Sequence, residues 1–232
     1  MANRWNVTMR LMRAAAMSCT FAATLAACQK STLSSGPYEG LVRDKATGQP
    51  ISGALVYVKW MGANPSSHSS YDLCYHHEIV ETGPDGRFRV PAWRVSTKVN
   101  GDPTWLPYIN PLHVEDFVFK AGYRDNFVRG GPRDPSKIEL EPIVGTASEQ
   151  IRILHELSHR SGCDGDSAKK ELPWLSALVL AGKTIASDRS KELSVGDRKM
   201  IDSLIFGVDL VQYGQDEAYK RLGERERAAK GR

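Results

Sequence analysis

The sequence predicts an α+β fold, an antiparallel β-sandwich followed by a small helical C-terminal subdomain. Three observations predict it. Between Tyr38 and Trp93, short apolar runs are punctuated by Gly48-Gln49-Pro50 and Pro84-Asp85-Gly86, the residue types that let strands reverse direction. After Val144-Gly145 the apolar spacing changes to the roughly 3.6-residue period of amphipathic helices. Two cysteines, Cys74 and Cys163, stand one in each part. A chain of 232 residues has room for one domain and part of another.

The first strand is Tyr38-Glu39-Gly40-Leu41-Val42-Arg43-Asp44, and Ala46-Thr47-Gly48-Gln49-Pro50 turns the chain after it. Ile51 to Val58 reads as the next strand. From Leu55 it alternates, with Val56, Val58 and Trp60 on one face and Leu55, Tyr57 and Lys59 on the other. Residues 61–78 are mostly polar and read as a long loop. Within it, Cys74-Tyr75-His76-His77-Glu78 holds two adjacent histidines. In extended backbone these point to opposite faces and rarely share an ion, so the segment reads as a loop clamped by Cys74. Ile79-Val80-Glu81-Thr82 and Arg87-Phe88-Arg89-Val90-Pro91 are β-rich runs flanking the Pro84-Asp85-Gly86 turn. Residues 94–113, rich in Pro, Asn and Trp, read as a surface excursion. Phe117-Val118-Phe119 is a strand entering a turn at Ala121-Gly122-Tyr123, and Lys137 to Glu141 alternates out and in.

In this order, Gly40-Leu41-Val42-Arg43-Asp44, Thr47 to Val56, Asp85-Gly86-Arg87-Phe88, Gly122-Tyr123 and Ile138-Glu139-Leu140 resemble the carboxypeptidase regulatory-like family. Its fold is the transthyretin-like (prealbumin-like) β-sandwich. The resemblance covers residues 38–143 and departs from the family at 61–78 and 94–113. It implies a non-catalytic module: an accessory to a peptidase, a surface domain, or the first domain of an outer-membrane receptor. Catalytic relatives of that fold, the hydroxyisourate hydrolases, carry a terminal Tyr-Arg-Gly-Ser. Here the residues are Ala228-Ala229-Lys230-Gly231-Arg232, so that activity is not implied.

Residues 1–27 have the parts of a secretory signal: Arg4, Arg10 and Arg13 without an acid, then an apolar run from Ala14 to Ala27. As a helix that run spans about 21 Å, too short for a hydrocarbon core of roughly 30 Å. Leu25-Ala26-Ala27-Cys28 resembles the bacterial lipobox, which implies lipidation at Cys28 and membrane attachment through acyl chains. Gln29 follows, and a residue other than Asp there implies sorting to the outer membrane. Export also accounts for the cysteines. Cys19 leaves with the signal and Cys28 is acylated, so Cys74 and Cys163 are expected to pair.

Net charge is +4, but three of the 31 basic residues lie in the leader, leaving 28 against 27 acids. Nucleic-acid binders keep their basic excess in the folded part, so no nucleic-acid partner is expected.

In the helical part, Thr146-Ala147-Ser148-Glu149 fits a capping box opening a helix that stops at Gly162. A second helix starts around Pro173 and carries Trp174, Leu175, Leu178, Val179 and Ile185. A third, capped by Ser194 with Asp197, has the stripe Ile201, Leu204, Ile205 and Val208. From Asp216 the chain is charged and reads as a solvated helix or frayed end. The expected divisions are a signal (1–27), a tether (28–37), the β-sandwich (38–143), the helical subdomain (146–214) and a charged tail (215–232).

His155-Glu156-Leu157-Ser158-His159 matches H-E-x-x-H. Histidines at i and i+4 share a helix face and can both reach one zinc, with Glu156 as base for a bound water. A third ligand is hard to find: Gly165 stands where one class needs His or Asp, Glu192 lies in a polar linker, and Glu171 is close in sequence. Packing is the other use of this helix. Ile151, Leu154 and His155 would then face the sandwich or the second helix, with Glu156 and Arg160 as a surface pair.

The expectation is therefore a non-catalytic, lipid-anchored envelope protein without a cofactor, facing the periplasm. It would be a structural or binding module. Trp93, Trp105, Tyr108 and Tyr123 are its candidate contacts with an envelope protein or glycan, unless they pack against the sandwich. The alternative is a membrane-tethered zinc metallohydrolase using His155, Glu156 and His159.

Overall fold

The computed structural model describes residues 31–65, 70–97, 113–126, 133–160, 163 and 168–230. Among the described residues, nine strands precede four helices: β1 (Ser31–Ser35), β2 (Tyr38–Asp44), β3 (Leu55–Pro65), β4 (Ser70–Glu81), β5 (Arg87–Val90), β6 (Trp93–Thr97), β7 (His113–Phe119), β8 (Tyr123–Asp125) and β9 (Ile138–Pro142). The helices are α1 (Ala147–Arg160), α2 (Leu172–Asp188), α3 (Val195–Tyr213) and α4 (Gln215–Lys230). The protein is thus mixed α and β, with its helices following its sheets. The chain divides into two compact units, residues 1–35 with 94–108, and residues 36–93 with 109–232. The first unit contributes β1 and most of β6, which form a two-stranded sheet. The larger unit holds a four-stranded sheet, β5-β2-β9-β8, and a three-stranded sheet, β4-β3-β7.

Two turns read from the sequence hold. Gly48 and Gly86 both have positive φ, at 70° and 74°. A side chain on Gly86 would put its Cβ 2.5 Å from the Val42 carbonyl, so both conformation and space require glycine there. The third expectation about this region is corrected. Residues 61–65 and 70–78 are the distal parts of β3 and β4, paired from Leu55↔Glu81 to Pro65↔Ser70. The polar residues that suggested a loop sit in a long antiparallel ribbon, whose backbone groups satisfy one another whatever the side chains. Cys74 is therefore clamped on a strand.

Strand β3 starts at Leu55, where the alternation begins, and not at Ile51 as expected. The Thr82 hydroxyl accepts from Ala54 N (2.8 Å) and donates to the Ile51 carbonyl (2.7 Å). Ile51 to Ala54 is thereby held as a turn, and pairing begins at Leu55. From Val56 to Gly62 every residue is buried, which is the mark of a central strand covered on both faces. One pairing departs from an antiparallel plan. β2 and β9 run parallel, Val42 opposite Ile138, which is open to them because a long stretch of chain separates the two.

The two larger sheets of this unit meet through Tyr38 of β2. Its ring lies edge-on to Trp60 at 6.3 Å between centroids, and its hydroxyl donates to Asp116 of β7. Arg133 pairs with both Asp116 and Asp125. Burial raises the Asp116 carboxyl above its ordinary value, while Arg133 and the Tyr38 hydroxyl pull it back.

The opposite face of β3 and β7 receives the helices. Tyr57, Phe117 and Phe119 join Ile151, Leu154, Leu157, Trp174, Leu178, Ile201 and Leu204 in one apolar core. At about 25 cal/mol per Å2 of apolar surface, this burial is the main force holding the helices to the sheet. Ser194 and Asp197 form the full capping box at α3. At α1 only half of the expected box forms: Thr146 Oγ1 accepts from Glu149 N at 3.2 Å, while the Glu149 carboxylate is drawn to Arg124. The charged segment after Asp216 is helix α4. One side of it rests on α3, where Ala218 is buried, Arg225 pairs with Asp209 at 2.7 Å, and Tyr219 meets Phe206. No described helix is long and apolar enough to cross a membrane.

Candidate functional site

The H-E-x-x-H residues lie in the second half of α1. Ile151, Leu154 and Leu157 form its buried stripe, so His159 and Glu156 are left exposed and His155 partly covered. The helical repeat brings the imidazoles together, Nε2 to Nε2 at 3.1 Å. Partial burial, and then the neighbouring His159, hold His155 below its ordinary pKa. A pair of neutral imidazoles at this separation can grip one cation from one side.

The remaining parts of a hydrolytic zinc site point elsewhere. Glu156 is ion-paired with Arg160, one turn on. It borders a cleft of about 320 Å3 lined also by Arg124, Asp125, Arg152 and Arg160. Glu192 accepts from Ala147 N (3.4 Å) and pairs with Arg189. That places it at the start of α1, eight residues before His155, about 12 Å along a helix. Glu171 is buried and accepts from the Tyr57 hydroxyl (3.1 Å) and Cys163 N (2.6 Å). Gly162 and Gly165 lie outside the described residues.

A second constellation lies where α1 ends on the sheet. The expected Cys74–Cys163 disulfide is present, with Cα atoms 5.4 Å apart, joining β4 to the segment after α1. Beside it, His77 is 1% exposed and stacks on Tyr57, with centroids 5.3 Å apart and planes within 5°. His76 faces the other way and stacks on Trp93 at 4.5 Å. The two adjacent histidines are thus divided between opposite sides of β4, as extended backbone requires. Burial, and then the nearby Lys170 charge, push His77 down to about 4. Burial and the Glu171 charge both raise the Tyr57 phenol. Among the described residues, the group with three metal-ligating atoms within 4.8 Å of one another is Cys74, His77 and Cys163.

Lys59 completes this junction, and its place was not read from the sequence. It is buried, donates from Nζ to the Arg160 carbonyl at 2.9 Å and pairs with Glu115 at 3.0 Å. A cation on the last carbonyls of a helix satisfies an orphan acceptor and complements the helix dipole. The signal was present in the alternation that set Leu55, Tyr57 and Lys59 on one face. That face is the helix-covered one.

A third feature also went unread. An apolar cleft of about 530 Å3 opens between the sheet and helices α1 and α2, lined in part by Leu55, Phe119, Ile153, Leu154, Leu180 and Ile185. The two cations at its edge are engaged: Lys120 donates to the Ser52 and Gly53 carbonyls, and Arg189 pairs with Glu192.

Of the proposed contact aromatics, Trp93 is buried against Trp60 and His76. Tyr123 is half-buried and donates to Asp44 at 3.0 Å. Trp105, Tyr108 and the lipidation candidate Cys28 lie outside the described residues.

No protein-family model matches the sequence, and no curated protein matches it. Among solved structures, a streptococcal ancillary pilin is similar at a TM-score of 0.21 and 14% identity, over 47% of this chain and 30% of the pilin. The chain spans under a third of the pilin's length, and a likeness this slight carries no argument.

Proposed function

We propose that this chain is a non-catalytic, lipid-anchored module of a bacterial cell envelope. In this reading residues 38–143 form a transthyretin-like β-sandwich of the carboxypeptidase regulatory-like kind, with the helical subdomain pinned to it. Cys28 is the lipidated residue, and the module faces the periplasm from the outer membrane, within reach of envelope proteins or glycan.

The observation that carries the non-catalytic reading is that each acid a zinc hydrolase would use is committed to a structural partner. Glu156 goes to Arg160, Glu192 to Arg189 and the start of α1, and Glu171 to Tyr57 and Cys163. The apolar cleft supports a binding role. Its volume is within the range of small-molecule pockets, and its edge cations are already engaged. Its occupant in this reading is a small uncharged apolar molecule.

Titration of the purified protein with the neutral fluorophore N-phenyl-1-naphthylamine tests the binding role. Saturable binding is expected, weakened at least tenfold in Ala181→Phe, whose side chain would fill the cleft. Binding that is absent, or unchanged in that variant, rejects it. The anchor is tested by Cys28→Ser, expected to release the protein from membranes. Continued attachment overturns that part.

The 3.1 Å approach of His155 and His159 favours a second reading, a membrane-tethered zinc metallohydrolase. Stoichiometric zinc lost in a His155→Ala, His159→Ala double variant would establish the ion. Absence of zinc, with thermal stability unchanged by chelation, would remove this reading.

A further inference from the structure

The junction of β4 with the end of α1 holds three soft or borderline metal ligands in one place. Cys163 and His77 are buried and Cys74 is half-buried. One donor atom from each lies within 4.8 Å of the other two. A tetrahedral zinc site with sulfur bonds of about 2.3 Å and nitrogen bonds of about 2.0–2.1 Å needs its donors a little under 4 Å apart. Cys74 and Cys163 are bonded to each other in the disulfide, so this spacing is open to the sulfurs only after the bond is broken. His77 adds a second, independent sign. Its Nε2 is buried without a hydrogen-bond partner, and buried ring nitrogens are ordinarily bonded. The stacked Tyr57 ring holds the imidazole in place.

We propose that Cys74, His77 and Cys163 form a thiol-gated Zn2+ site, closed by the disulfide and opened by a dithiol reductant. The dithiol gives two electrons and two protons to the Cys74–Cys163 bond. The S–S bond breaks, two thiols form, and the reductant leaves as its own cyclic disulfide. Zn2+ then binds both sulfurs as thiolates, releasing their two protons to solvent, while neutral His77 supplies the third bond. Water fills the fourth position. Two neighbours act on the site's charge in opposite senses, Lys170 against the cation and Glu78 for it. Zinc would stand in for the covalent link, tying the same strand to the same helix end under reducing conditions.

Co2+ reports on such a site, because thiolate ligation gives near-ultraviolet charge-transfer absorption. The full chain carrying Cys19→Ser and Cys28→Ser leaves Cys74 and Cys163 as its two cysteines. After anaerobic reduction it is expected to bind one Co2+ per chain with a two-thiolate band, displaced by one Zn2+. The oxidised protein should show no band. His77→Ala should weaken Co2+ affinity at least tenfold in the reduced protein, and His155→Ala should leave it unchanged. A missing band, a band equal in both redox states, or an affinity indifferent to His77→Ala overturns the proposal. Should reduction unfold the chain, circular dichroism with and without Zn2+ decides. Refolding on Zn2+ in the parent and not in His77→Ala supports the site, and no refolding rejects it.

Discussion

The protein carries two histidine pairs, and they meet opposite fates. His76 and His77 are neighbours in sequence, yet β4 sends one to Trp93 and the other to Tyr57. His155 and His159 are separated by three residues, yet α1 brings their Nε2 atoms to 3.1 Å. Backbone period decides which residues meet. Burial then decides what they can do. The helical pair is a surface feature of a helix held by other residues. His77, the buried member of the strand pair, belongs to the junction of Tyr57, Glu171, Lys59 and the disulfide that fixes the helix to the sheet. Structural weight therefore falls on the strand side, and the motif that looks most like chemistry sits where stability does not depend on it.

The sharpest way to break this contrast is to cut the junction. Replacing Cys74 and Cys163 together by Ser should lower unfolding free energy by about 4–5 kcal/mol in the chain-entropy account of so long a loop, read from urea midpoints. A loss under about 1 kcal/mol would mean the junction holds without its covalent link. Next in size is Glu171→Ala, which strands the buried Tyr57 hydroxyl and the Cys163 amide. About 3 kcal/mol is expected from two lost partners.

The pH dependence sharpens the comparison further. His77 has a folded pKa of about 4, below its ordinary value of 6.5, so the unfolded chain binds its proton first. Stability from this group is whole above pH 6.5, and it declines as pH falls towards 4. At pH 5 the loss should be roughly 1–2 kcal/mol relative to pH 7.5. His77→Gln should flatten that part of the profile, and an unchanged slope would remove His77 as the cause. The smallest effect belongs to the helical pair. His155→Ala should change stability by less than about 0.5 kcal/mol, and a larger loss would erase the distinction between the two pairs.

The same contrast shows what was readable. The Gly86 turn, the Ser194–Asp197 cap, the Glu156–Arg160 pair and the splitting of His76 from His77 all follow from residues a few positions apart. Lys59 was legible as a member of one face but not as the cap of a helix, since Arg160 is a hundred residues away. The cleft beside Leu180 was invisible for the same reason: no single segment contains its walls.

What the sequence determined alone is the order of β and helical parts, their turns and caps, and which two cysteines could pair. Each depends on local dihedral preference or simple count. The tertiary structure decided that residues 61–65 and 70–78 form strands, that β2 and β9 run parallel, and that Lys59 lies beneath a helix end. Those outcomes depend on backbone groups and charges finding partners far along the chain, and desolvation makes an unpartnered one costly only once the fold has closed over it.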